Sequence, residues 1–219
     1  MRISDELKKL GITVHYTTVN KIIQTFRKNG QIQPAGNWKK FLKMHWDSLY
    51  AMDFMIIDTL FGKRLHLLLI LQLHTRKIVK WGLTESPSRE FVRQQIITFS
   101  EKTTTNPLLI HDNASVFASI DYKDYGTKGV NTCFASPNMN SYVERLNGSI
   151  RREALDHYLL ITQKQIKKII GEYIEYYNNY RMHQGIGNTP AFVKFQKSGQ
   201  IKKNSVLGGL HHYYYRSSA

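Results

Sequence analysis

The chain has 219 residues and a formal net charge of +15, with a sequence pI near 9.8. This length allows one main domain with a buried core and a small appendage, and the charge indicates a polyanionic partner. A single cysteine, Cys133, excludes an internal disulfide and a cysteine-rich zinc site, and its apolar neighbours favour a buried thiol. The longest apolar run, residues 67–71, is too short to cross a membrane, and the amino terminus lacks an apolar signal segment. We therefore expect a cytoplasmic protein with no membrane partner.

Residues 2–10 and 17–28 predict two short helices separated by a break at Gly11. Such a pair is typical of the end of a helix-turn-helix DNA-binding domain, with Lys21 and Arg27 as candidate DNA contacts. A plain helical hairpin explains the pattern equally well. Because the chain begins almost inside the first helix, we expect residues 1–30 to form only part of such a domain. The inner side of the second helix is expected to hold Val19, Ile22, Ile23 and Phe26.

Residues 31–43 combine Pro34 and Gly36 with several lysines and predict a basic linker. A solvated hinge is the simplest interpretation, and phosphate contact is the alternative.

The region after the linker predicts a sheet. Three strand-like segments, residues 49–57, 65–73 and 78–83, are separated by tight turns and indicate an antiparallel meander. A helix is predicted from Pro87 to about residue 102. The short apolar run 108–110 then resembles a central parallel strand, and Asp112 follows at its carboxyl end, where open mixed sheets place their ligands.

The second half of the chain predicts two main helices. Residues 113–129 indicate a short helix and a turn at Gly126, and residues 130–134 an edge strand. From Tyr142 onward, apolar residues recur at intervals of 3, 4 and 4, which predicts an amphipathic helix; they are Val143, Leu146, Ile150 and Ala154. A longer helix follows over 162–179, with its core face formed by Ile166, Ile169, Ile170, Tyr173, Ile174 and Tyr177. Residues 196–219 are expected to be a solvated, partly ordered basic tail, whose tyrosines 213–215 serve packing or base stacking.

Three carboxylates stand out in this scheme. Asp53 and Asp112 occur inside apolar strand-like segments, where surface charges are not expected. Glu144 lies beside the apolar stripe of its helix, and Gly148 and Arg151 come round to within about 40° of it. A metal-binding carboxylate needs such partners. Glu144 also fits the alternative of a capping box that starts with Ser141.

These carboxylates lie in three sequence blocks: residues 49–54 (LYAMDF), 109–117 (LIHDNASVF) and 136–145 (SPNMNSYVER). The three blocks, in this order, resemble those of the integrase-like DDE transposases of bacterial insertion sequences. Residues 176–190 (YYNNYRMHQGIGNTP) resemble the closing segment of that family, so the resemblance covers about residues 40–195.

The resemblance implies a ribonuclease-H-like α/β fold, with a mixed five-stranded sheet flanked by helices, in a catalytic core over residues 44–195. It implies that Asp53, Asp112 and Glu144 are catalytic and hold two Mg²⁺ or Mn²⁺ ions. The implied activity is metal-dependent cleavage and strand transfer of DNA, by a homo-oligomer assembled on element ends and target DNA in the nucleoid. Candidate DNA contacts in the core are Asn140, Arg151 and Arg152.

The sequence departs from the family at two points. The 31 residues between Asp112 and Glu144 are fewer than in the usual interval, which makes residues 118–130 a shortened segment. Met182 stands where proline is common. These departures leave open a truncated, catalytically inactive DNA-binding relative of a transposase, and a nuclease of the same fold is the third alternative.

Overall fold

The computed structural model describes residues 2–9, 11–28, 44–103, 106–131, 141–187 and 198–217. The chain separates into two compact units, Met1–Met44 and His45–Ala219. The predicted linker, Cys133, Asn140 and the last part of the predicted edge strand lie outside the described residues.

The first unit contains helices α1 (Arg2–Lys9) and α2 (Tyr16–Lys28). Gly11 adopts a left-handed φ of +77° and ends α1, as the predicted break requires. One prediction for α2 is wrong: Ile22 and Phe26 were expected on its inner side but expose 50% and 44% of their surface. Two short helices offer too little apolar area to enclose four large side chains. The helix pair is observed, and its helix-turn-helix identity stays a prediction.

A five-stranded sheet forms the centre of the second unit, with the strand order β3-β2-β1-β4-β5. Its strands are β1 (Leu49–Asp58), β2 (Arg64–Gln72), β3 (Ile78–Thr84), β4 (Leu108–His111) and β5 (Lys128–Asn131). The first three strands form the predicted antiparallel meander, and β4 and β5 are parallel to β1. The predicted mixed five-stranded sheet is thus observed, although β5 begins two residues before the predicted edge strand.

One face of the sheet is covered by helix α3 (Arg89–Ser100), which begins where the Ser88 hydroxyl accepts a hydrogen bond from the Phe91 amide at 3.2 Å. The short helix α4 (Ser115–Ala118) and a 3₁₀ turn, Tyr122–Tyr125, lie on the same side. The core on this face contains Tyr50, Met52, Leu68, Ile70, Val92, Ile96, Phe99, Leu109, Phe117, Ile120 and Tyr122. Because side chains alternate along a strand, Ala51, Asp53 and Met55 point to the opposite face.

That opposite face is covered by helices α5 (Ser141–Glu153) and α6 (Gln163–Asn179). The predicted apolar stripes of both helices are buried, which confirms the helical periodicity. Helix α6 begins with a capping box formed by Thr162 and Gln165. Near its end, the Asn178 side chain accepts a hydrogen bond from the Ile78 amide and donates one to the Ile78 carbonyl, both at 2.9 Å.

The carboxyl-terminal segment forms a hairpin of strands β6 (Ile201–Val206) and β7 (His211–Arg216). The described part of the predicted tail, residues 198–217, is therefore ordered, and five of the six residues of β6 are exposed, as expected for a solvated segment. The Tyr213 ring stacks on Tyr180 with 3.5 Å between ring centroids, and the His211 ring stacks on Tyr176 at 4.7 Å. These aromatic contacts attach the hairpin to α6. No helix in the described part of the chain is long and apolar enough to cross a membrane.

Candidate active site

Two aspartates stand side by side where β1 and β4 run parallel. Ala51 is in register with Ile110 between the two strands. Extending that register by two residues brings Asp53 and Asp112 to the same level, and strand alternation directs both toward the face covered by α5. Two carboxylates from distant parts of the sequence therefore lie side by side on the same face of the sheet.

The Asp53 carboxylate is partly buried and held by two amide donors. Its Oδ1 accepts a hydrogen bond from the Phe54 backbone at 2.8 Å, and its Oδ2 accepts one from the Asn147 side chain at 3.3 Å. The pKa of Asp53 is nevertheless raised to about 6. Burial is the largest cause, and the charges of Asp112 and Glu144 add to it, while the two hydrogen bonds oppose it. Among the described residues, no positive charge contributes to the pKa of this carboxylate.

Asp112 follows β4 directly and is fixed by local hydrogen bonds. Its Oδ1 accepts a hydrogen bond from the Ala114 amide at 3.0 Å, and its carbonyl accepts one from His111 Nδ1 at 2.7 Å. The His111 ring is buried and stacks on Tyr122 with 5.1 Å between centroids. Burial lowers the pKa of His111, so the ring is neutral at neutral pH. Asp112 is therefore positioned by its hydrogen bonds to Ala114 and His111, and the His111 ring is itself held by stacking on Tyr122.

Glu144 lies on the exposed side of α5, one helical turn before Asn147. The same face of α5 reaches β1 through Asn147 and through Arg151, whose Nη2 donates to the Ile56 carbonyl at 2.9 Å. Of the causes that shift the pKa of Asp53, the charge of Glu144 is the smallest. The structure thus brings Asp53 and Asp112 together and leaves Glu144 at the solvent side of the pair.

The donor set fits a divalent cation, which prefers carboxylate and amide oxygens. The Oδ1 atom of Asn147 is buried, and no other described residue forms a hydrogen bond with it; the Asn147 amide lies next to the carboxylate of Asp53. A cation there would also compensate the charges that raise the pKa of Asp53. As the side chains stand, no group of three or more His, Cys, Asp or Glu residues within the described ranges is arranged to hold a metal ion.

The predicted DNA contacts are distributed over both units. Arg151 and Arg152 are exposed on α5, and the Arg152 guanidinium lies over Gly148, where an added Cβ would meet its Nη1 at 2.8 Å. Lys21 is exposed on α2 in the first unit, and the side chain of Arg27 lies outside the described residues. Their contact with DNA stays a prediction.

Two features of the site were missed from the sequence. Asn147 lies three residues after Glu144, and the helical spacing that placed Arg151 beside Glu144 would have found it. The second feature is a salt bridge between the end of α5 and the segment after α6: Arg181 donates to Glu153 at 2.6 and 2.7 Å, and the Tyr173 hydroxyl donates to the same carboxylate at 2.8 Å. No local sequence pattern joins residues 28 positions apart.

Comparison with solved structures supports the class of fold. The catalytic domain of Mos1 mariner transposase matches with a TM-score of 0.52 and 15% identity, over 63% of this chain and 76% of that one. The catalytic core domain of HTLV-2 integrase, in complex with magnesium, matches with a TM-score of 0.51 and 14% identity, over 66% of this chain and 93% of that one. The predicted ribonuclease-H-like fold is confirmed.

Sequence comparison finds similar proteins among those encoded by bacterial insertion sequences. Residues 125–190 match the integrase core domain family. The transposase of insertion sequence element IS904 from Lactococcus lactis is 27% identical over 147 residues, which are 64% of this chain and 58% of that protein. An uncharacterized protein of insertion element IS600 from Shigella sonnei is 27% identical over 131 residues, 57% of this chain and 48% of that protein. The chain spans about half the length of these relatives, and its predicted resemblance to integrase-like transposases of bacterial insertion sequences is confirmed.

Proposed function

We propose that this chain cuts and joins DNA strands in transposition, with Asp53, Asp112 and Glu144 as its catalytic carboxylates. The observation that carries the proposal is the pair of aspartates on neighbouring parallel strands, with the pKa of Asp53 raised to about 6 because the carboxylate is buried beside like charges. A site built mainly for stability would place a cationic side chain there. At this site a cation from solution would supply the missing positive charge.

Mg²⁺ or Mn²⁺ is the cofactor that these residues fit, and we assign two ions to Asp53, Asp112 and Glu144. The bound ions supply electrostatic stabilisation of the transferred phosphoryl group and activation of the attacking water or DNA 3′-hydroxyl. Asn147 holds the Asp53 carboxylate through its side-chain amide. The hydrogen bond from Ala114 fixes Asp112, so both carboxylates are oriented before a ligand arrives.

DNA is the proposed substrate of this site. A net charge of +15 favours binding to a phosphate backbone. We assign DNA contacts to Arg151 and Arg152, which flank the carboxylate face of α5, and to Asn140, Lys21 and Arg27. The substrates are element ends and target DNA, held by an oligomer of this chain.

The shortened segment, residues 118–130, affects whether this chain is expected to be catalytically active. It contains the 3₁₀ turn at Tyr122–Tyr125 and leads into β5, which pairs with all four residues of β4 in parallel register. Strand β4, which directly precedes Asp112, is therefore paired on both sides. This pairing favours an active enzyme over the alternative that only binds DNA.

The test is a strand-transfer assay with the element's own ends, target DNA and Mg²⁺ or Mn²⁺. Asp112→Asn removes one anionic ligand while keeping the shape of the side chain, so joining should fall by at least about 100-fold. DNA binding, measured by fluorescence anisotropy, should be unchanged or slightly tighter because one repulsive charge is lost.

Asp58→Asn is the matched control. Asp58 lies in the same strand as Asp53, but it is exposed and paired with Arg64 at 2.8 Å. This variant should join DNA as well as the wild type does. If Asp112→Asn also joins normally, the carboxylate assignment is wrong, and if the wild type binds DNA without joining it, the binding-only alternative is correct.

A further inference from the structure

A polar cavity lies on the other side of α5 from Glu144. It has a volume of about 340 Å³ and is bounded by the turn between β2 and β3, the first half of α5 and the end of α6. We call it the arginine pocket, after Arg76, Arg145 and Arg181, which line it together with Tyr142 and His183. None of the described side chains that line it is acidic.

Arg76 is the unusual member of the arginine pocket. It adopts a left-handed φ of 62°, which is strained for a residue with a side chain. Its guanidinium stacks over the Tyr142 ring at 3.8 Å from the centroid. The Nη1 atom is buried and has no hydrogen-bond partner among the described residues. A buried, charged donor left unpaired is costly, so an acceptor on a bound ligand would lower the free energy of this site.

The other two arginines differ in how far their charge is compensated. Arg181 is held by the Glu153 carboxylate in a bidentate pair, so its charge is largely neutralised. Arg145 is exposed, with its guanidinium 5.5 Å from the Tyr142 ring centroid. Within the described residues, no ion pair joins Arg76 or Arg145 to a carboxylate. Two guanidinium groups beside the Tyr142 ring therefore have no carboxylate partner in the described part of the chain.

The mouth of the arginine pocket is open to a large ligand. Arg145 and Gln184 are exposed there, and Met182 exposes 50% of its surface. His183 is buried, and its Nε2 donates to the Tyr177 carbonyl at 3.0 Å. Burial lowers the pKa of His183, which keeps the ring neutral and leaves the arginines as the charged groups. The pocket thus combines a rigid floor with a cationic rim.

We infer that the arginine pocket binds a phosphate group, and that the DNA backbone supplies it at a point separate from the carboxylate site. The planar fork of a guanidinium matches phosphate oxygens, and Arg76 is already fixed by stacking, so little side-chain entropy is lost on binding. The DNA source of the phosphate rests on the proposed function. The phosphate chemistry of the pocket does not.

An experiment with two arms tests separately whether the pocket binds phosphate and whether DNA supplies that phosphate. In the first arm, duplex DNA binding is measured by anisotropy over a range of salt concentrations. Arg76→Gln should make the slope of log K against log salt shallower by about 0.9, the effect of one lost phosphate contact. Arg145→Gln, an exposed change with little risk to folding, should act in the same direction. Arg89→Gln removes an equal charge at the start of α3, outside the pocket, and should leave the slope unchanged.

In the second arm, the melting temperature is followed as inorganic phosphate replaces chloride at constant ionic strength. Phosphate should raise the melting temperature of the wild type and of Arg89→Gln. The rise should be smaller for Arg76→Gln, because this variant lacks the specific phosphate contact. If phosphate stabilisation depends on Arg76 but the DNA slope does not, a small phosphate compound is the source and the DNA part is wrong. If the wild type binds no DNA, the proposed function fails and the phosphate arm still decides the pocket. If Arg76→Gln and Arg145→Gln match Arg89→Gln in both arms, the inference is overturned.

Discussion

Two partly buried carboxylates, one beside the middle of α5 and one at its end, have opposite environments. Asp53 accepts hydrogen bonds from two neutral amides and faces Asp112 and Glu144, and its pKa is raised to about 6. Glu153 accepts hydrogen bonds from the Arg181 guanidinium and the Tyr173 hydroxyl. Burial raises the pKa of Glu153 as well, but these two partners outweigh burial and leave its pKa below the ordinary value.

The difference shows how one helix serves two purposes. At its end, α5 supplies a carboxylate whose charge is compensated within the protein, which joins α5 to the segment after α6. On its outer face, α5 supplies Glu144 and Asn147 to a group of carboxylates whose charge is not compensated. The first arrangement contributes to stability, and the second reduces stability until a cation is bound.

The largest effect is expected from breaking the compensated pair. Glu153→Gln leaves the Arg181 guanidinium partly buried without its counter-charge, and we expect the free energy of unfolding to fall by about 2–4 kcal/mol, somewhat less than for a fully buried pair. This fall in the free energy of unfolding can be measured by urea denaturation. Because the pKa of Glu153 is lowered in the folded state, its contribution is present above the unfolded pKa and is lost as the pH falls through the folded value. Glu175→Gln, an exposed change on α6, should alter stability by less than about 0.5 kcal/mol, and an equally small effect of Glu153→Gln would contradict the prediction.

The opposite sign is expected at the uncompensated carboxylate. Asp53→Asn removes a buried charge, so in a chelating buffer at pH 8 the variant should be more stable than the wild type by about 1–2 kcal/mol. The folded pKa near 6 exceeds the unfolded value of 3.8, so the wild type loses stability as the pH rises from about 3.8 to 6. The advantage of the variant should therefore disappear below about pH 4. Asp58→Asn, the exposed control, should show no such stabilisation, and an Asp53→Asn variant that is less stable at pH 8 would refute this account.

The smallest effect is expected from removing one partner of Glu153. Tyr173→Phe deletes a single hydrogen bond but leaves the Arg181 pair, so we expect a loss of about 1 kcal/mol in the free energy of unfolding. Tyr214→Phe is the matched control because the Tyr214 side chain is 67% exposed. Equal stability of the two variants would show that Arg181 alone compensates Glu153.

The sequence was sufficient for the parts of the fold that local patterns determine. The meander followed from apolar runs separated by tight turns, and the buried face of α5 from the spacing of Val143, Leu146 and Ile150. Asp53 and Asp112 were also recognisable, because charged residues inside apolar strands are rare.

The parts that could not be predicted depend on contacts between distant segments. The Nη1 atom of Arg76 is buried only because the turn between β2 and β3, α5 and the end of α6 meet around it. The carboxyl-terminal hairpin has a polar first strand, in which only Val206 is buried, so no apolar alternation marks it. Its position depends on the stacking of Tyr213 on Tyr180, which becomes visible only when α6 is in place. Local periodicity does not contain this information.

The side chain of Asn178 has a further consequence for solubility. Strand β3 lies at the margin of the sheet, where free backbone amides and carbonyls invite pairing with another molecule. The Asn178 amide donates to and accepts from the same residue, Ile78, as the backbone of a neighbouring strand would. An incoming strand therefore finds the first pairing position of β3 already taken, and a single side chain protects that end of the strand against aggregation.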